Sequence, residues 1–101
     1  MLFLQISKHS IESCPMHNEI VSKVFKDSMA KMDQLLKKYG VKMVGGWAAM
    51  VEHTFAAVYE APTMDALLKL ASEPEMMKFN EYNMTELIPV MTLEESIKMM
   101  K

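Results

Sequence analysis

The chain has 101 residues, half of them apolar, and a net charge of −2, so a single domain with its own core is expected over residues 1–101. All eleven basic residues are lysines, spread along the chain; without arginine's planar fork, nucleic acid is not an expected partner. No apolar run approaches the roughly 18 residues of a membrane span, the opening MLFLQISKHS lacks the basic start of a signal peptide, and one cysteine permits no internal disulfide, so a cytoplasmic location is expected.

Residues 1–8, MLFLQISK, alternate Leu2, Leu4 and Ile6 against Phe3, Gln5 and Ser7, the period of a strand. A polar loop, KHSIESCPMHNE, follows. Pro15 suits a first helical position, which makes Cys14 the expected cap of a helix from Met16 to Tyr39. Val21, Val24, Phe25, Met29, Met32, Leu35, Leu36 and Tyr39 give that helix an apolar stripe, and Gly40 ends it.

The stretch VKMVGGWAAMVEHTFAAVYEA, 41–61, predicts two antiparallel strands with their turn near Met50 to Glu52, leaving Gly45 and Gly46 for a bulge or a close approach. Thr63 caps a second helix whose buried side is Met64, Leu67, Leu68 and Ala71. Pro74 interrupts it, and EMMKFNEY continues helically. MTELIPVM, 84–91, is a fourth strand, placed at an edge by Pro89, and Thr92 caps a short terminal helix with Glu95 in capping-box position. The order β-α-β-β-α-β plus a helix is α+β, the ferredoxin-like sandwich. Two helices cover one sheet face, yet both faces carry apolar residues, so a second copy is the expected cover for the other. The thirteen methionines fall mostly where core is wanted and read as gap-filling core rather than soft metal ligands.

GVKMVGGWAAMVEHTFAAVYEAPTMDALLKL and TELIPVMTLEESIKMM resemble a family of small uncharacterised archaeal and bacterial proteins in the dimeric α/β-barrel superfamily. Gly46-Trp47, Glu60, Ala66 to Leu68, Pro89-Val90-Met91 and Glu94-Glu95 carry the resemblance. It implies a homodimeric barrel. Related barrels include cofactor-free monooxygenases, lactone isomerases, haem enzymes and ligand binders, and fold alone does not choose among them.

Chemistry concentrates in the polar loop. His9, Cys14 and His17 form a candidate metal set of two imidazoles and a thiolate, suited to Zn, Cu or Fe, with Glu12 in reserve. At a helix mouth Cys14 is also a candidate reactive thiolate. The competing reading makes the loop only the polar mouth of a helix. His53, the third histidine, is expected on the face of Phe55 and Tyr59, assigned to the dimer interior. With strands one and three taken as parallel, it lies far from His9 and Cys14 within one protomer. Facing a barrel cavity walled by Trp47, Tyr59 and Phe3, it becomes the natural acid–base residue. His53 and Cys14 are therefore the candidate catalytic residues, and a compact small molecule is the candidate ligand. The alternative is a non-catalytic dimeric interaction module.

Overall fold

A computed structural model describes all residues 1–101. The elements are β1 (Leu2–Lys8), α1 (Glu19–Tyr39), β2 (Lys42–Ala49), β3 (Thr54–Glu60), α2 (Met64–Ala71), α3 (Pro74–Asn80), β4 (Met84–Val90) and α4 (Leu93–Met99). The four strands form one sheet in the order β2-β3-β1-β4. Every neighbouring pair is antiparallel. This is the ferredoxin-like arrangement, with β4 at an edge where Pro89, lacking an N–H, leaves few ladder bonds unmade.

β1 and β3 run antiparallel, with Leu2 opposite Glu60 and Lys8 opposite Thr54. The expected parallel pairing is corrected by the connections themselves. The β1–α1–β2 crossover makes β1 and β2 parallel, and the short β2–β3 turn then sends β3 back between them. The start of β3 therefore lies beside the end of β1, and His53 arrives next to His9.

Helices cover one sheet face. Phe3, Ala57 and Tyr59 from the strands pack with Met32 and Leu35 of α1, Ala66, Leu67 and Leu70 of α2, and Met76 of α3. Burying a Leu or Phe side chain stabilises by roughly 1.5–3 kcal/mol, so this cluster is the principal source of stability. Phe55 belongs to the same face, its ring stacked on Phe25 of α1 at 4.9 Å. The face expected to meet a second copy is thus the one under the helices. On α2 the buried stripe is Ala66, Leu67 and Leu70, while Leu68 turns outward.

The opposite face bears Leu2, Leu4, Ile6, Val58 and Ile88, with no helix over it. A bulge at Met43–Gly45 brings Gly45 opposite Val58. The Trp47 indole lies so close over Gly45 that a Cβ there would stand 2.6 Å from it. Only glycine admits that contact, and Trp47 is left 62 % exposed.

Helix α1 begins at Glu19 rather than Met16, and its cap is Asn18, whose side chain accepts from the Val21 N–H at 3.1 Å. The amide oxygen is a far better acceptor than a thiol, so it takes the capping role expected of Cys14. Residues before it form turns instead, with the Cys14 N–H bonded to the Ile11 carbonyl and the Asn18 N–H to the Cys14 carbonyl. Thr63 and Thr92 cap α2 and α4 through the N–H groups of Ala66 and Glu95. No residue of α4 is buried.

Candidate functional site

The register that ends β1 builds the site. Lys8 pairs with Thr54 on one side and with Met84 on the other. One step beyond, His9 is flanked by His53 and Asn83. The His9 N–H donates to the His53 carbonyl at 3.1 Å, and their rings meet edge to face with centroids 5.5 Å apart. His53 closes the β2–β3 turn in the left-handed region, φ 51°, where a β-carbon is disfavoured. Cys14 joins from the polar loop, only 3 % exposed. A ring nitrogen of each histidine and the Cys14 Sγ all lie within 4.8 Å of one another.

His17 is not part of this cluster. Its Nε2 lies 2.6 Å from the Ile11 carbonyl, and the Asn18 amide donates to the Glu12 carbonyl at 2.9 Å. These two bonds brace the loop that carries Cys14. Spacing alone suggested His17, since it stands three residues from Cys14; the turn at 14–18 directs it elsewhere. His53 was the missed partner, and the antiparallel hairpin order was the signal that could have found it.

Buried polar atoms almost always find a hydrogen-bond partner. The side-chain exceptions in this chain are His9 Nδ1 and Nε2, His53 Nδ1 and Asn83 Oδ1, all at this one place. Asn83 donates its Nδ2 to the Phe79 carbonyl at 2.8 Å, which fixes the amide and leaves its oxygen free. Burial and the neighbouring His53 hold the His9 pKa below its ordinary value, with Asn83 pulling the other way. A neutral imidazole keeps a lone pair for a ligand.

A second feature adjoins it. Between the sheet and the helices lies a cavity of about 530 Å³, mostly apolar, walled in part by Phe25, Met32, Phe55 and Phe79. Neither His9, Cys14 nor His53 lines it. Phe55 is the partition, 5.3 Å from the His9 ring on one side and stacked on Phe25 on the other. Gln5, Thr85, Asn80 and Ser28 give the cavity its polar lining. Behind the wall the fully buried Ser7 links two of them, with Gln5 donating to Ser7 at 3.0 Å and Ser7 meeting Thr85 at 3.0 Å, while Thr85 donates to Asn80 at 3.2 Å. Of the three aromatic walls expected around His53, Tyr59 and Trp47 line this cavity and Phe3 does not.

The whole chain, residues 1–101, matches the profile of a family described as a domain of unknown function, DUF3303. No curated protein matches it in sequence. Among solved structures it is similar to an antibiotic biosynthesis monooxygenase, with 13 % identity, TM-score 0.58, and coverage of 91 % of this chain and 100 % of that one. It is also similar to protein Atu4242 from Agrobacterium tumefaciens, with 11 % identity, TM-score 0.53, and coverage of 92 % and 96 %. At these identities the likeness is one of fold.

Proposed function

We propose that this chain, which belongs to the DUF3303 family, binds a compact and largely apolar small molecule between its sheet and its helices. The observation that carries this reading is the cavity of about 530 Å³, within the roughly 300–1,000 Å³ of small-molecule sites. Apolar walls with a few convergent polar groups are what such sites offer. Gln5, Thr85 and Asn80 meet one hydroxyl or carbonyl group, and the aromatic and methionine walls take the remainder. Methionine suits this role because its unbranched, polarisable chain repacks around different shapes.

Binding is favoured over acid–base turnover. No carboxylate, imidazole, ammonium or thiol stands on the cavity wall. Its one titratable group, the Tyr59 phenol, is held protonated by burial, its pKa pushed up to about 12. In this reading His53 and Cys14 are not the residues that act on the ligand.

The same reading includes a homodimer. The open sheet face is apolar, and α4 carries Leu93 and Ile97 with no part of the chain covering them. The molecule is elongated, with a radius of gyration of 14.6 Å against about 13 Å for a compact chain of this length. A second copy laid on the open face would cover these surfaces.

N-Phenyl-1-naphthylamine, an apolar aromatic amine that fluoresces when desolvated, tests the cavity. One molecule should bind per chain with micromolar affinity. Ala57→Leu, which fills the floor of the cavity, should weaken binding at least tenfold with the circular dichroism spectrum retained, and Leu4→Ser on the open face should not. Equal effects of the two substitutions would place the dye on the sheet surface and end the proposal.

A further inference from the structure

The geometry points to a transition-metal site formed by His9, Cys14 and His53, taking a borderline dication of the Zn²⁺ class. It stands apart from the cavity, behind the Phe55 partition, and does not depend on the ligand-binding reading.

Three observations meet here. The donor atoms of the three residues lie within 4.8 Å of one another. Ligands around tetrahedral zinc, at about 2.0–2.3 Å from the ion, stand roughly 3.3–3.7 Å apart, so contraction by about an ångström through side-chain rotation completes the set. The donor set is two imidazoles and one thiolate, which suits zinc and neighbouring transition metals and disfavours Mg²⁺ and Ca²⁺. Three protein ligands also leave one position open to solvent.

The third observation is the pattern of unpaired atoms. Every buried side-chain nitrogen or oxygen without a partner belongs to His9, His53 or Asn83. One ion accounts for them together. His53 Nδ1 ligates, one His9 nitrogen ligates, and the other His9 nitrogen donates its N–H to Asn83 Oδ1. A metal-bound imidazole commonly makes such a second bond to a carbonyl oxygen, which sets its tautomer and orientation. Asn83 is therefore a positioning residue, its own orientation set by the bond to the Phe79 carbonyl. His17 contributes by holding the loop through Ile11 rather than by ligation.

The three ligands come from the end of β1, the β2–β3 turn and the loop before α1. An ion here would tie that loop, which lacks helix or strand, to the sheet. Binding converts the Cys14 thiol to thiolate and releases its proton to solvent, so affinity rises with pH.

The test uses tag-free full-length protein, stripped of metal and titrated with Co²⁺, whose spectrum reports its ligands. One equivalent per chain should bind, with a thiolate-to-metal charge-transfer band in the near ultraviolet and d–d bands of four-coordinate intensity. Zn²⁺ should displace it. His9→Gln and His53→Ala should weaken binding at least about 100-fold, Asn83→Ala about tenfold, and His17→Ala, which removes only a brace of the loop, should cost less than about tenfold and leave the charge-transfer band in place. Cys14→Ser should abolish the charge-transfer band; if that variant unfolds, Zn²⁺ protection of Cys14 from iodoacetamide in the unaltered protein gives the same answer. Absence of the thiolate band, or equal losses from His17→Ala and His53→Ala, overturns the proposal. The naphthylamine assay is unaffected by either outcome.

Discussion

His9 and His53 are joined twice, by a backbone bond of 3.1 Å from the His9 N–H to the His53 carbonyl and by an edge-to-face contact of their rings. The pairing follows from the sheet order, because it continues the β1–β3 ladder one step past Lys8 and Thr54. It also sets a histidine where the backbone is left-handed, with φ 51°.

That backbone makes the first prediction. Asparagine tolerates the left-handed region and valine does not. In metal-free buffer, His53→Asn should change stability by no more than about 0.5 kcal/mol, whereas His53→Val should cost about 1–2 kcal/mol or more. Urea unfolding of both variants measures this. Equal midpoints would show that the turn adapts to either residue.

The second prediction concerns Tyr59, whose phenol is buried and whose pKa is pushed up to about 12 by desolvation. Its folded pKa exceeds the unfolded value of about 10, so the folded chain holds this proton more tightly. The associated stability is complete below about pH 10 and is lost as pH rises toward 12, about 2–3 kcal/mol in all. In Tyr59→Phe the alkaline loss of stability should be shallower across that window. Denaturant midpoints at stepped pH would detect the difference.

Glu73 supports the third. Its carboxylate accepts from Lys38 at 2.7 Å and from the Tyr39 hydroxyl at 2.6 Å, tying the end of α1 to the start of α3. The hydrogen bonds from Lys38 and then Tyr39 hold its pKa below the ordinary carboxylate value. A depressed carboxylate stabilises the fold above its unfolded pKa and loses that contribution as pH falls through the folded one. Glu73→Gln should therefore be less stable than the parent at pH 7, with the gap closing in acid below about pH 4. Thermal melts at both pH values check the sign; a gap that widens in acid contradicts it.

Local signals in the sequence were enough for the elements and their order. Alternation marked β1, the stripe and Gly40 marked α1, and Pro89 marked an edge. Relations across the sheet were harder to read. Cys14 before Pro15 looks like a helix cap, but Asn18 offers a stronger acceptor four residues nearer the stripe. His17 looked like a ligand by spacing, although a turn at Cys14 spends its ring on Ile11. His53 lay hidden because its partner is 44 positions away in the chain, a relation visible only once the β3 direction is known. The two faces were exchanged for a related reason: alternation separates Phe55 from Val58 but does not say which side the helices occupy.

The last prediction tests the open face. Leu4 and Val58 are cross-strand partners at its centre. The Trp47 indole packs closely against Gly45, whose cross-strand partner is Val58. A stable interface of about 800 Å² per partner needs such an apolar centre, and a buried charge there costs several kcal/mol. Val58→Asp should convert a dimer to a folded monomer, because Val58 points away from the helix-covered core and leaves Phe3, Tyr59 and Leu70 in place. Sedimentation equilibrium at micromolar concentration should show two chains for the parent and one for the variant. Deleting residues 93–101 should weaken the dimer less, since α4 adds covered area at the rim rather than the centre. A parent that sediments as one chain would leave the exposed Trp47 and the bare sheet unexplained by self-association and would refute the homodimer.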